Sequence, residues 1–177
     1  MDYIENMSTL PRHGHIVSSF FADVKHLFQK KLVYPLQEQH ALVYWGRRYS
    51  GDETLVDVEK LTNLNEFRGL TIEELAFVQP DFFVFAKNPY IQNLSTSRTA
   101  GIPDLIVEVW STSNTLMEKD MKFRLYSSSS KCEHWYITLD SNSVECWLGD
   151  SKLSNQSLEQ ELFTIGGLKF DLRYLAQ

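Results

Sequence analysis

Residues 104–111 read DLIVEVWS, an apolar strand with a charge in its middle. Side chains alternate across a strand, so Ile106, Glu108 and Trp110 share one face and Leu105, Val107 and Val109 the other. Glu108 apart, both faces are apolar, which is the pattern of a strand covered on both sides. A carboxylate in such a place is costly unless it is paired, protonated or bound to a metal. Two readings follow. Glu108 is an ion-pair partner or an edge residue facing water, or it is a functional carboxylate.

The stretch FVQPDFFVFA (77–86) repeats the situation. It reads as one strand with aromatics on both faces, and Asp81 follows Pro80 to open the run FFVFA. If the two strands are neighbours, Asp81 and Glu108 converge on one solvent-accessible point, where two carboxylates can share a hard cation. Asp104 stands four residues before Glu108, roughly 13 Å along the strand. It reads either as an accessory group or as a strand-opening residue that satisfies loop amides. A basic group is needed beside the carboxylates to steady developing phosphate charge. Trp110 cannot supply it, so the candidates are Lys119 and Lys122 on the next helix. That helix is expected to run from the N-cap residues STSNT (111–115) to about Ser127, with Met117, Met121 and Leu125 stacked against the sheet. Lys122 borders this stripe and Lys119 points more nearly away from it. A solvated surface lysine is the ordinary alternative for both.

Working outward, Ile16, Val17, Phe20, Phe21, Val24, Leu27 and Phe28 recur on one face of a long amphipathic helix, expected from Pro11 to Lys31. Residues 2–8 are compatible with a strand. LVYPLQ (32–37) and ALVYW (41–45) read as strands, 46–53 as an exposed turn, and 54–76 has no clear pattern. Residues 87–101 read as a polar loop. HWYITLD (134–140) and SVECWLG (143–149) form a hairpin across SNS. A short strand near 161–165 and a helical turn from Asp171 to Ala176 follow. The order predicts an α/β or α+β fold, with a mixed central sheet and helices packed against it.

The 177 residues are 43% hydrophobic and 23% charged, which is ordinary for a globular chain, and the length predicts one domain over 1–177. No apolar run approaches the roughly 20 residues of a membrane helix. MDYIENMSTL has no basic region followed by an apolar run, so no secretory leader is expected and the expected compartment is cytoplasmic. The net charge of −6 does not favour a protein that coats nucleic acid non-specifically. It leaves room for a locally basic site. Cys132 and Cys146 lack metal-ligand spacing and read as free, partly buried thiols. The chain has no GxSxG, P-loop or GxGxxG motif, which argues against serine hydrolases, NTPases and dinucleotide enzymes.

In order, VQPDFFVFA, GIPDLIVEVWS, DMKFRLY and EHWYI resemble the Uma-two family of restriction endonucleases (domain of unknown function 820), in the PD-(D/E)XK nuclease superfamily. PRHGHIV resembles the start of that family's first helix. The resemblance covers nearly the whole chain. It implies a restriction-endonuclease-like core and a Mg²⁺- or Mn²⁺-dependent endonuclease that hydrolyses phosphodiesters of DNA. Asp81 and Glu108 would match the metal-binding carboxylates. Lys122 would match a lysine displaced from the strand to the helix, and His15 the histidine near the start of the first helix. Arg47, Arg48 and Arg98 are candidates to hold the DNA backbone, and a homodimer would suit cutting two strands. The chain departs from the family pattern at Ser130-Lys131, which replaces Gly-Val, and at His134, which replaces Tyr. A catalytically inactive DNA-binding or protein-interaction module on the same scaffold is the alternative.

Overall fold

The computed structural model describes residues 3–30, 34–37, 41–44, 77–88, 90–93 and 98–175. In chain order these form α1 (Tyr3–Gln29), β1 (Tyr34–Gln37), β2 (Ala41–Tyr44), β3 (Phe77–Val78), β4 (Phe82–Phe85), β5 (Tyr90–Asn93), β6 (Arg98–Gly101) and β7 (Leu105–Trp110). Then come α2 (Leu116–Ser127), β8 (Glu133–Thr138), β9 (Ser143–Leu148), β10 (Ser151–Ser157), β11 (Glu161–Phe163) and β12 (Lys169–Asp171). A 3₁₀ turn over Arg173–Leu175 ends the described chain.

The central sheet has six strands in the order β1-β4-β7-β8-β9-β10. Its β7–β8 pair is parallel and the other neighbours are antiparallel. A parallel pair needs a crossover, and α2 supplies it. One face of the sheet is dry: Phe82, Val84, Leu105, Val107, Val109, Trp135 and Ile137 meet Ile16, Val17, Phe20 and Val24 of α1. Phe20 anchors this layer, stacked 5.4 Å from Phe82 and tilted 4.7 Å from Phe170. The opposite face carries Ile106, Glu108, His134 and Tyr136, and α2 covers it. The mixed sheet and its flanking helices are the expected architecture. No helix among the described residues is long and apolar enough to cross a membrane.

Several local expectations are corrected. The run 77–86 is two strands in different sheets. β3 pairs with β2 in a four-stranded sheet ordered β3-β2-β6-β5, and β4 joins the central sheet. Pro80 lies at the break, where it has no N–H to give a ladder. Residues 90–101 are not simply a loop: β5 pairs with β6 from Tyr90↔Gly101 to Asn93↔Arg98. Their polar composition hides Tyr90, Ile91 and Thr99, which suit strands. The first helix begins at Tyr3, so residues 3–8 are helical rather than a strand. Pro11 lies inside the helix and has no N–H for the carbonyl of Met7.

The stripe expected to pack α2 is also corrected. Met117 is 82% exposed and Met121 47%, while Leu125 and Tyr126 are buried. α2 rests on the sheet through Lys122 and Tyr126, which meet Glu108, and through Phe123, whose ring lies 4.8 Å from that of Trp147. β10 was not expected at all. It is an edge strand, joined to β9 by a turn at Gly149, whose φ of 55° suits glycine. A Cβ there would also meet Ser130 Cα at 3.2 Å. The segments 46–53 and 54–76, with Arg47 and Arg48, lie outside the described residues, and Arg98 lies on β6.

Candidate active site

The site follows from the register of two strands. β4 and β7 pair Phe82 with Val107 and Phe83 with Ile106. This ladder stops at Phe82↔Val107, and Asp81 stands one residue before it, beside the end of β7 that carries Glu108 and Val109. Asp81 does not continue the backbone ladder. Its Oδ2 accepts the N–H of Val109 at 2.6 Å, so the side chain takes the place of a backbone partner just before β4 begins. Its Oδ1 lies 3.2 Å from Nε2 of His13 on α1.

Glu108 is 1% exposed. The expectation of one solvent-accessible point is thereby corrected, because α2 closes over this carboxylate. Lys122 donates to Oε2 at 2.7 Å, and Tyr126 donates its hydroxyl to Oε1 at 2.5 Å. The two donors stand at i and i+4, the spacing that puts side chains on one helix face. Thr115 starts the helix in register, its hydroxyl accepting the Glu118 N–H at 3.2 Å. Burial pushes the Glu108 carboxyl up to about 7, Lys122 opposes that rise, and the Asp81 charge adds to it. Burial and the Glu108 charge push the Tyr126 hydroxyl well above its ordinary range, so it remains a donor.

The other candidates have different surroundings. Lys119 holds its ammonium 5.0 Å from the centre of the Trp110 ring, and Trp110 stacks on Tyr136 at 4.2 Å. Asp104 is held by structure: one oxygen accepts the backbone N–H groups of Ala86, Lys87 and Asn88 at 2.7–3.0 Å. His15 is exposed, and His13 is the histidine that reaches Asp81. Two helical residues are about 200° apart, so when His13 faces the sheet His15 faces away. Neither His13 nor Tyr126 is among the residues that the sequence singles out. The KxxxY spacing of Lys122 and Tyr126 was the available signal for the second. His134 is buried neutral, between the Tyr136 hydroxyl at 2.9 Å and the Gly149 carbonyl at 2.8 Å, and burial lowers its pKa to about 4.

A family model described as "Uma2: Putative restriction endonuclease" matches residues 64–169, more than half of the chain. The chain belongs to the Uma2 family. No curated protein sequence matches it. Among solved structures it is similar to a "putative nuclease belonging to DUF820" from Anabaena variabilis ATCC 29413. That match has a TM-score of 0.56 and 12% identity, and covers 94% of this chain and 80% of the other. At this identity the likeness shows a shared fold. The Uma2 match spans Asp81, Glu108, Lys122 and Tyr126, and begins after the helix that carries His13.

Proposed function

We propose that this Uma2 chain is a Mg²⁺-dependent endonuclease that hydrolyses phosphodiester bonds of DNA, with Asp81, Glu108 and Lys122 as its working groups. The observation that carries the proposal is the Lys122 ammonium 2.7 Å from a buried Glu108, with Asp81 bound to the backbone of the next residue, Val109. Two carboxylates and a cation at one spot are the parts that phosphoryl chemistry needs.

The donor set fits the ion. No group of three or more metal-ligating side chains is found among the described residues. Mg²⁺ does not require one, since it takes one or two carboxylates and completes its shell with waters and substrate phosphate oxygens. Asp81 and Glu108 would hold it, and Mn²⁺ could replace it. The bound ion would supply Lewis acidity toward the phosphate and lower the pKa of a water. Lys122, on a flexible stem and partly exposed, would turn its charge from Glu108 toward the phosphate or the attacking water. His13 would keep Asp81 oriented from the opposite helix. Activity in the cytoplasm and a homodimer that addresses two strands belong to the same proposal.

The test is cleavage of duplex DNA with and without Mg²⁺ by the wild-type chain and by Glu108→Gln. Cleavage that needs the ion and disappears in the variant is the expected result. Cleavage that is unchanged in the variant would refute the assignment. The enclosure of Glu108 favours one second reading, a buried ion pair in a scaffold that binds DNA without cutting it. DNA binding with no cleavage under any divalent ion would select that reading.

A further inference from the structure

The two oxygens of Glu108 have partners of different character. Lys122 is a partly exposed side chain on a four-carbon stem, able to leave Oε2 without opening the sheet. Tyr126 is fully buried, with its ring edge-on to His134 at 6.0 Å. It is one of two buried side chains on α2, the other being Leu125, and of the two it alone is completely enclosed. A phenylalanine would fill the same volume without placing a hydroxyl in the interior, and a buried hydroxyl is costly unless it is bonded. Here that hydroxyl meets a carboxylate at 2.5 Å, the short length of a charge-assisted hydrogen bond.

We propose that Tyr126 is a positioning residue for Glu108, holding Oε1 in place so that Oε2 alone exchanges Lys122 for a divalent ion. The inference rests on the nuclease reading and assigns a residue within it. The last torsion of a glutamate is broad and shallow, so a carboxylate held by one mobile lysine would turn freely. The tyrosine removes that freedom in both states of the site. It also satisfies the oxygen that the ion does not use. Lys122 and Tyr126 then divide the work along one helix face: the first is the exchanging partner and the second the fixed one.

The test uses Tyr126→Phe, which keeps the ring and loses only the hydroxyl, beside wild type and Glu108→Gln. Mn²⁺ binding is read by calorimetry on the full chain, and kcat and KM are read on DNA. The Phe variant should keep its circular dichroism spectrum and bind Mn²⁺ about 10–100-fold more weakly. Its kcat should fall while KM for DNA stays put, a split that loss of packing alone would not produce. A Phe variant equal to wild type in both readouts, while Glu108→Gln loses both, overturns the role of Tyr126 and leaves the nuclease reading standing. A Phe variant that does not fold makes the hydroxyl a structural group and also overturns the proposal. A wild-type chain that takes up no Mn²⁺ and cuts no DNA overturns both readings together.

Discussion

At the scale of the residue, Glu108 sets the chemistry of the site. Its carboxyl, raised from 4.5 to about 7 by burial, binds more protons in the folded chain than in the unfolded one between those pH values. Stability must therefore fall as pH rises through that window. His134 acts in the opposite sense. Its pKa, lowered from 6.5 to about 4, makes folding less favourable as pH falls below 6.5. The two effects offset each other in the raw curve, so a difference curve is needed. Thermal midpoints of wild type minus Glu108→Gln, measured without divalent ions, should decline from about pH 4.5 to pH 7 and then level off. A flat difference would mean that Glu108 is not desolvated as described. The charge inside IVEVW announced this residue, because a carboxylate in an apolar strand stands out by composition alone. Tyr126 and His13 did not stand out: a tyrosine late in a helix reads as packing, and a histidine's direction depends on a helix phase that the sequence leaves open.

Among the elements, β7 and the strand that follows its helix were legible in the runs DLIVEVWS and HWYITLD and in the capping residues before α2. The packing face of α2 was not. Met117 and Met121 make an apolar stripe that points into solvent, and Lys122 with Tyr126 takes the inner side. A buried carboxylate outweighs two methionines in fixing that face, since an unpaired buried charge is far more costly than an exposed thioether. β10 escaped notice because SKLSNQS has no apolar alternation, as befits an edge strand. Two substitutions separate structural from functional roles among these elements. Phe20→Ala removes the ring between α1 and the sheet and should cost about 3–5 kcal/mol in denaturant unfolding. Asp104→Ala orphans three amides and should cost about 1–3 kcal/mol, while Mn²⁺ affinity is unchanged. Weakened Mn²⁺ binding would return Asp104 to the site.

For the whole molecule, the sheet has two working faces. The dry face under α1 supplies the apolar burial that holds the strands in register. That register brings Asp81 to the end of β7 beside Val109, just after Pro80 sends the chain from one sheet into the other. The face under α2 carries the polar groups. An acidic chain can carry such a site because what matters there is the local placement of Lys122 rather than the net charge. The lysine is therefore where the account is most exposed. Lys122 lies on Glu108 and Lys119 lies over Trp110, three residues apart on one helix. Replacing Lys122 should leave the fold intact, because Glu108 can take up a proton near pH 7 once its partner is gone. The decisive measurement is Mg²⁺-dependent DNA cleavage by Lys122→Met and Lys119→Met beside the wild type. Abolished cleavage in the first and wild-type cleavage in the second is the predicted result. Equal cleavage by all three chains would contradict the account.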